Sequence, residues 1–168
     1  TFEGTSGIGC ISDSDPQPLL VRSHLGVFAL TTCGVINNAD ALIEEYFADH
    51  GNQFMAMSSG KVNETELVAA LINQEDDFVS GIKHVQEKVE GSMTLLLMTE
   101  EGNIIAARDR LGRLPVLIGK NHEGYCASFE SFAYQKIDYE TVYELGPAEI
   151  VNITADGYET LAPAGEEM

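Results

Sequence analysis

The stretch Gly26-Val-Phe-Ala-Leu-Thr-Thr-Cys-Gly-Val-Ile-Asn-Asn38 joins a compact β-prone run to the start of a helical pattern. Val27 to Thr32 reads as a strand, because branched and aromatic side chains fit a pleated, buried surface. Cys33-Gly34 is expected to break that strand. Asn38 has the chemistry of a helix N-cap. Ala39, Leu42, Ile43, Tyr46 and Phe47 then follow at helical spacing as one apolar stripe. His50-Gly51-Asn52 is the expected end of that helix.

Working outward, Gly7 to Ser12 reads as a short strand and 13–18 as a loop, since its prolines and Asx residues cannot continue a ladder. A second helix is expected from about Asn63, with Leu67, Val68, Leu71 and Ile72 on one face. A third is expected from Asp77 to Val89, capped by Asp76 or Asp77, with Phe78, Ile82, Val85 and Val89 inward. After Glu90-Gly91 the pattern changes to strands. Met93 to Thr99 is continuously apolar, as in a strand covered on both faces. Glu101-Gly102-Asn103 is a hairpin turn into Ile104 to Arg108. Further strands are expected at Val116 to Gly119, Tyr125 to Phe129, Glu149 to Thr154 and Tyr158 to Leu161, with a short helix at Ser131 to Lys136. Helices grouped between strand-rich stretches predict an α+β layout of sheets covered by helices.

The chain has 168 residues, enough for a single domain, 1–168, with a sizeable core. Nine Lys and Arg against 27 Asp and Glu give a formal net charge of −18. That balance argues against nucleic-acid binding and against anionic membrane surfaces. No apolar run approaches the roughly 20 residues that span a bilayer. The three cysteines, Cys10, Cys33 and Cys126, form no CxxC pair, so neither a disulfide framework nor a zinc site is expected. With no basic, apolar leader at Thr1 to Gly9, a cytoplasmic setting is the expectation. No metal and no cofactor is implied.

Several segments carry a family resemblance. Gly26 to Asn38 resembles G-x-x-A-L-A-H-N-G-N-L-V-N, the oxyanion-hole segment of amidophosphoribosyltransferase-type class II glutamine amidotransferases. Gly7-Ile8-Gly9 is similar to the start of G-I-G-H-x-R-Y, and Gln17-Pro18 to a Q-P segment. Asn63-Glu64-Thr65-Glu66 sits where that family has S-D-T-E. Glu90-Gly91-Ser92 resembles the start of E-G-A-Y, and Ala107 to Pro115 resembles A-R-D-P-x-G-x-R-P-L. Glu144 to Glu149 resembles the closing E-x-x-P-G-E. The matches are collinear from Gly7 to Gly157. The resemblance implies a four-layer αββα N-terminal nucleophile hydrolase sandwich of antiparallel sheets, here without its first strands.

Enzymes of this type attack the glutamine side-chain amide with an N-terminal cysteine whose own α-amine is the base. An Asn side chain and a Gly amide stabilise the oxyanion. An Arg clamps the substrate carboxylate, and the Asp of S-D-T-E holds its ammonium. Transferred position by position, the resemblance puts Cys33 in place of the oxyanion Asn and retains Gly34. Glu64 replaces the Asp, Ser12 replaces the Arg, and Cys10 replaces a His. The nucleophile segment has no counterpart before Thr1. A thiol is a weak donor, and loss of one oxyanion donor alone costs roughly a hundred- to a thousandfold in rate. The expectation is a degenerate glutaminase-like domain that does not hydrolyse glutamine by itself.

Other interpretations stand beside this one. Gly34 and Glu64 mark either a remnant ligand pocket or a sharp turn and a helix N-terminal acid. Cys33 is expected as a buried structural thiol rather than a nucleophile paired with His24 or His50. Cys126 is expected in the core, and His84 and His122 at the surface. Thr1 is a formal alternative nucleophile. Arg108, Asp109 and Arg113 are expected to form a structural ion-pair network. The alternative function is an active glutaminase whose cysteine segment is missing from this chain, supplying ammonia to a phosphoribosyltransferase domain. Expected partners are glutamine or another small amino acid, and a second copy or a partner domain. Phe54, Met55 and Met57 are a candidate partner surface.

Overall fold

The computed structural model describes residues 4–12, 15–50, 57–58 and 61–165. In chain order the elements are β1 (Leu19–Ser23), β2 (Gly26–Ile36), α1 (Ala39–His50), β3 (Met57–Ser58), β4 (Lys61–Val62), α2 (Glu64–Ile72) and α3 (Phe78–Lys88). They continue with β5 (Gly91–Thr99), β6 (Ile104–Ala107), β7 (Leu117–Lys120), β8 (Tyr125–Ser128), α4 (Phe132–Gln135), β9 (Glu140–Glu144), β10 (Ile150–Ile153) and β11 (Tyr158–Ala162). Thr1, Asp13, Ser14, Gly51, Asn52, Phe54, Met55 and the side chains of His50 and Met57 lie outside the described residues.

A six-stranded sheet in the order β1-β2-β5-β6-β10-β11 forms the centre. Its neighbouring strands all pair antiparallel. Both faces of β2 and β5 are covered, which is why Phe28 to Thr32 and Met93 to Leu97 are continuously buried. One face packs Leu30, Leu95, Leu97 and Ile105 against Leu42 of α1, Leu67, Val68, Leu71 and Ile72 of α2, and Ile82 and Val85 of α3. The opposite face packs Leu96, Ala106, Val151 and Ile153 against Ile118 of a second sheet, ordered β8-β7-β9. The layers are therefore helices, sheet and sheet. Among the described residues the outermost helical layer consists of α4, whose buried Tyr134 covers Gly119 on the far side of the second sheet.

The helices start where side chains satisfy their open N–H groups. Asn63 Oδ1 accepts from the backbone of Thr65 at 2.8 Å and Glu66 at 3.3 Å, capping α2. Asp77 Oδ1 accepts from Ser80 N–H at 2.9 Å, capping α3. Asn38 immediately precedes α1, but its side chain bridges to the end of α3. Its amide donates to the Lys88 carbonyl at 2.9 Å, and its oxygen accepts from Glu90 N–H at 2.9 Å.

Several expectations change. Cys33-Gly34 does not break β2, which runs on to Ile36. The glycine is what permits this, because a Cβ at Gly34 would lie 1.9 Å from the Ser92 carbonyl oxygen. The expected strand at Gly7 to Ser12 is irregular chain, with Ile8 resting on the second core. β1 and β9 were not expected from the sequence. β9 is mostly exposed and carries no apolar alternation, and β1 is a short edge strand behind Pro18. The expected Arg108, Asp109 and Arg113 network is structural but is not an ion-pair network among those residues. Arg108 donates to the carbonyls of Leu114, Gly112 and Leu145 and pairs with Glu144. Buried Asp109 accepts backbone N–H groups of Leu111, Arg113 and Leu114.

Candidate functional site

A cavity of about 940 Å³ opens at one end of the central sheet, between β2, the start of α2, the end of β8 and the irregular N-terminal segment. Ser12, Cys33, Gly34 and Glu64, drawn from three separate parts of the chain, all line it. Cys10 lines it too. Register places Cys33 opposite Thr94, whose hydroxyl donates to the Cys33 carbonyl at 3.0 Å. Gly34 stands opposite Met93, and Glu64 is the first residue of α2. The two interpretations of Glu64 thus fall on one position, a helix N-terminal acid that also faces a cavity.

The segments that carry these residues are tied together. Thr32 Oγ1 lies 2.7 Å from Thr65 Oγ1 in a buried contact, which joins the strand beside Cys33 to the helix turn beside Glu64. Thr32 N–H donates to Gln17 Oε1 at 2.8 Å, which holds the Gln17-Pro18 loop against the same strand. Asp15 N–H donates to Ser12 Oγ at 3.2 Å.

Cys33 is exposed, which corrects the expectation of a buried thiol. It alternates out of the covered part of β2 at the end of the strand where the second sheet no longer reaches it. No Cys33–His24 pair forms. His24 precedes β2 at its other end, about 20 Å or more away along an extended strand, and its ring nitrogen contacts the Glu75 carbonyl at 2.9 Å. Burial pushes the Cys10 thiol above its usual range, and the nearby Cys33 adds to the shift. A raised thiol pKa leaves little thiolate near neutrality. Cys126 is only half-buried rather than fully in the core, and burial also raises its pKa. His122 is exposed. His84 is half-buried, within 2.9 Å of Gln74 Oε1 and paired with Glu75 at 3.5 Å.

Lining residues that the sequence did not suggest are Asp15, Thr31 and Glu130. Thr31 was within reach of sequence reasoning, since it lies two positions from Cys33 and shares its face of the strand. Glu130 was not. Its carboxylate accepts the N–H groups of Phe132 at 2.9 Å and Ala133 at 3.2 Å. Among the described residues that line the cavity there is no Lys, Arg or His. No cluster of His, Cys, Asp and Glu able to hold a metal ion occurs among the described residues. No described helix is long and apolar enough to cross a membrane.

Residues 7–133 match the glutamine amidotransferase domain family. The chain is 31% identical over 137 residues to the amidophosphoribosyltransferase of Methanocaldococcus jannaschii, across 82% of this chain and 28% of that protein. It is 30% identical over 147 residues to the Bacillus subtilis amidophosphoribosyltransferase, across 86% and 29%. Among solved structures, it resembles the B. subtilis glutamine phosphoribosylpyrophosphate amidotransferase complexed with ADP and GMP. There the TM-score is 0.73 at 28% identity, across 87% of this chain and 31% of that one. A structure described as the allosteric regulatory enzyme of purine biosynthesis gives a TM-score of 0.76 at 27% identity, across 91% and 32%. The chain therefore spans between 28% and 32% of the length of these relatives.

Proposed function

Because the chain belongs to the glutamine amidotransferase domain family, we propose that it is a degenerate member, a binding or regulatory domain that keeps the pocket and does not hydrolyse glutamine by itself. The observation that carries this reading is the composition of the cavity wall. Glutamine presents an α-carboxylate, which this fold's enzymes hold with a bidentate Arg. The resemblance puts Ser12 at that position, and no cation appears among the described lining residues. The oxyanion needs two placed donors. Gly34 keeps the backbone of one, but Cys33 offers only a weak S–H donor in place of the other. Cys10, the other thiol at the cavity, is disfavoured as a thiolate.

By analogy with the longer relatives, this domain works in the cytoplasm beside a phosphoribosyl-transferring partner domain or in a homo-oligomer, in purine biosynthesis. A second reading is favoured by the retained Gly34 and the acid at Glu64. In it the domain is an active glutaminase completed by a cysteine segment outside these residues, supplying ammonia to such a partner.

Calorimetric titration with glutamine tests the proposal. Binding weaker than millimolar is expected. A submillimolar dissociation constant would show that the carboxylate is held after all.

A further inference from the structure

Thr31 is 1% exposed, yet its hydroxyl has no hydrogen-bond partner. A buried hydroxyl left unpaired is uncommon, because it has given up water and gained nothing. Its neighbour Thr32 faces the helices and is satisfied by Thr65. Thr31 faces the other way, with Cys33 and with its cross-strand partner Leu96, and all three line the cavity. A ligand in the cavity would supply the missing partner.

The charge of the same wall says what kind of ligand. Asp15, Glu64 and Glu130 line the cavity, and no Lys, Arg or His appears among its described lining residues. The whole chain carries a formal charge of −18, so the field around the cavity at longer range is predominantly negative as well. A concave, partly apolar wall of one sign focuses its potential and concentrates ions of the opposite sign. Ile11, Val62, Met93, Leu96 and Phe129 supply the apolar part. A carboxylate brought into this cavity meets like charge, and no described lining residue offers it a counter-ion.

We propose that the cavity binds a small aliphatic amine that carries no carboxylate, such as a diamine or an amino alcohol. Its ammonium lies against the carboxylates of Asp15, Glu64 and Glu130. Its methylene stem lies along Met93, Leu96 and Phe129, and a second polar group meets the Thr31 hydroxyl. The inference deepens the proposed function and rests on its reading of the cavity as a ligand site without a carboxylate clamp.

The test is calorimetric titration of the purified chain with 1,4-diaminobutane and, in parallel, with 4-aminobutyrate, in which one aminomethyl end is replaced by a carboxylate. Diaminobutane should bind at least about tenfold more tightly, the worth of one charge-assisted contact. Glu64→Gln should weaken it by a similar factor, whereas Glu87→Gln, on the exposed side of α3, should not. Thr31→Val should weaken binding and Thr31→Ser, which keeps the hydroxyl, should restore it, with circular dichroism confirming that both are folded. Equal binding of the two ligands, no saturable binding, or an equal loss in Glu87→Gln would overturn the proposal. Ammonia release from glutamine is followed on the same sample. Release would defeat the degenerate reading, whereas absent release with absent diamine binding would defeat this inference alone.

Discussion

Thr32 and Thr65 place their hydroxyls 2.7 Å apart in the interior, and that contact ties the β2 side of the cavity to the α2 side. Thr32 precedes Cys33 on β2, and Thr65 follows Glu64 in the first turn of α2. Asn63, itself fully buried, caps that turn, so the contact is fixed from both sides. Replacing either threonine by valine leaves the other hydroxyl buried and unpaired, a cost of about 1–3 kcal/mol. Replacing both removes the unpaired group. Urea unfolding should therefore show the double variant losing less stability than the sum of the single variants. Simple additivity would mean that the hydroxyls act independently.

Gly34 and Gly91 hold β2 and β5 in close approach. A Cβ at Gly34 would sit 1.9 Å from the Ser92 carbonyl oxygen, and one at Gly91 would sit 2.0 Å from that of Val35. Both glycines also have positive φ, +151° and +137°. Gly34→Ala and Gly91→Ala should each cost at least about 2 kcal/mol, since the backbone must move apart. Gly157→Ala meets nothing within 4 Å and should change thermal stability little. Equal midpoints for all three variants would contradict the close approach.

Asp109 is 4% exposed, and both its oxygens accept backbone N–H groups in the turn after β6. Asp109→Ala should lower stability by about 2–3 kcal/mol, because several donors are left without an acceptor. Asp109→Asn keeps one acceptor oxygen and should fall between the two. The order of the three denaturant midpoints is the check, and an asparagine variant as stable as the parent would show that the second oxygen is dispensable.

The Tyr143 hydroxyl donates to buried Glu149 at 2.9 Å, and the same carboxylate accepts from Gly146 N–H at 2.8 Å and Thr160 Oγ1 at 3.0 Å. The hydrogen bond to Glu149, then burial, then the carboxylate charge raise the Tyr143 pKa above the ordinary tyrosine range. A raised folded-state pKa stabilises below the unfolded value and is lost as pH climbs through the folded one. Tyr143→Phe should therefore cost about 1–2 kcal/mol near neutrality. The gap should narrow only at alkaline pH, above the usual tyrosine range. Phenolate absorbance should contain a late-ionising component that is missing in Tyr143→Phe.

What the sequence revealed tracks where apolar periodicity is strong. α2 and α3 have caps at Asn63 and Asp77 and regular apolar stripes, and both lie where the pattern puts them. The continuous run of β5 likewise announced a strand covered on both faces. β9 was invisible because four of its five residues are exposed and only Tyr143 packs inward, so no apolar alternation marks the strand. Gly34 misled because glycine usually ends a strand. Here it allows the strand to continue, for a reason that depends on Ser92, far away in sequence. The convergence of Ser12, Cys33, Gly34 and Glu64 on one cavity was legible only through the family resemblance. The buried, unpaired hydroxyl of Thr31 and the absence of any cation among the described lining residues required coordinates.

Ammonia release from glutamine shows whether this cavity has lost glutamine chemistry. The purified chain would be assayed at millimolar glutamine alongside Cys33→Ala and Cys10→Ala. Release no faster than buffer for all three is the predicted result. Release by the parent chain that either substitution abolishes would contradict it, and would identify a thiol at the cavity as a working nucleophile.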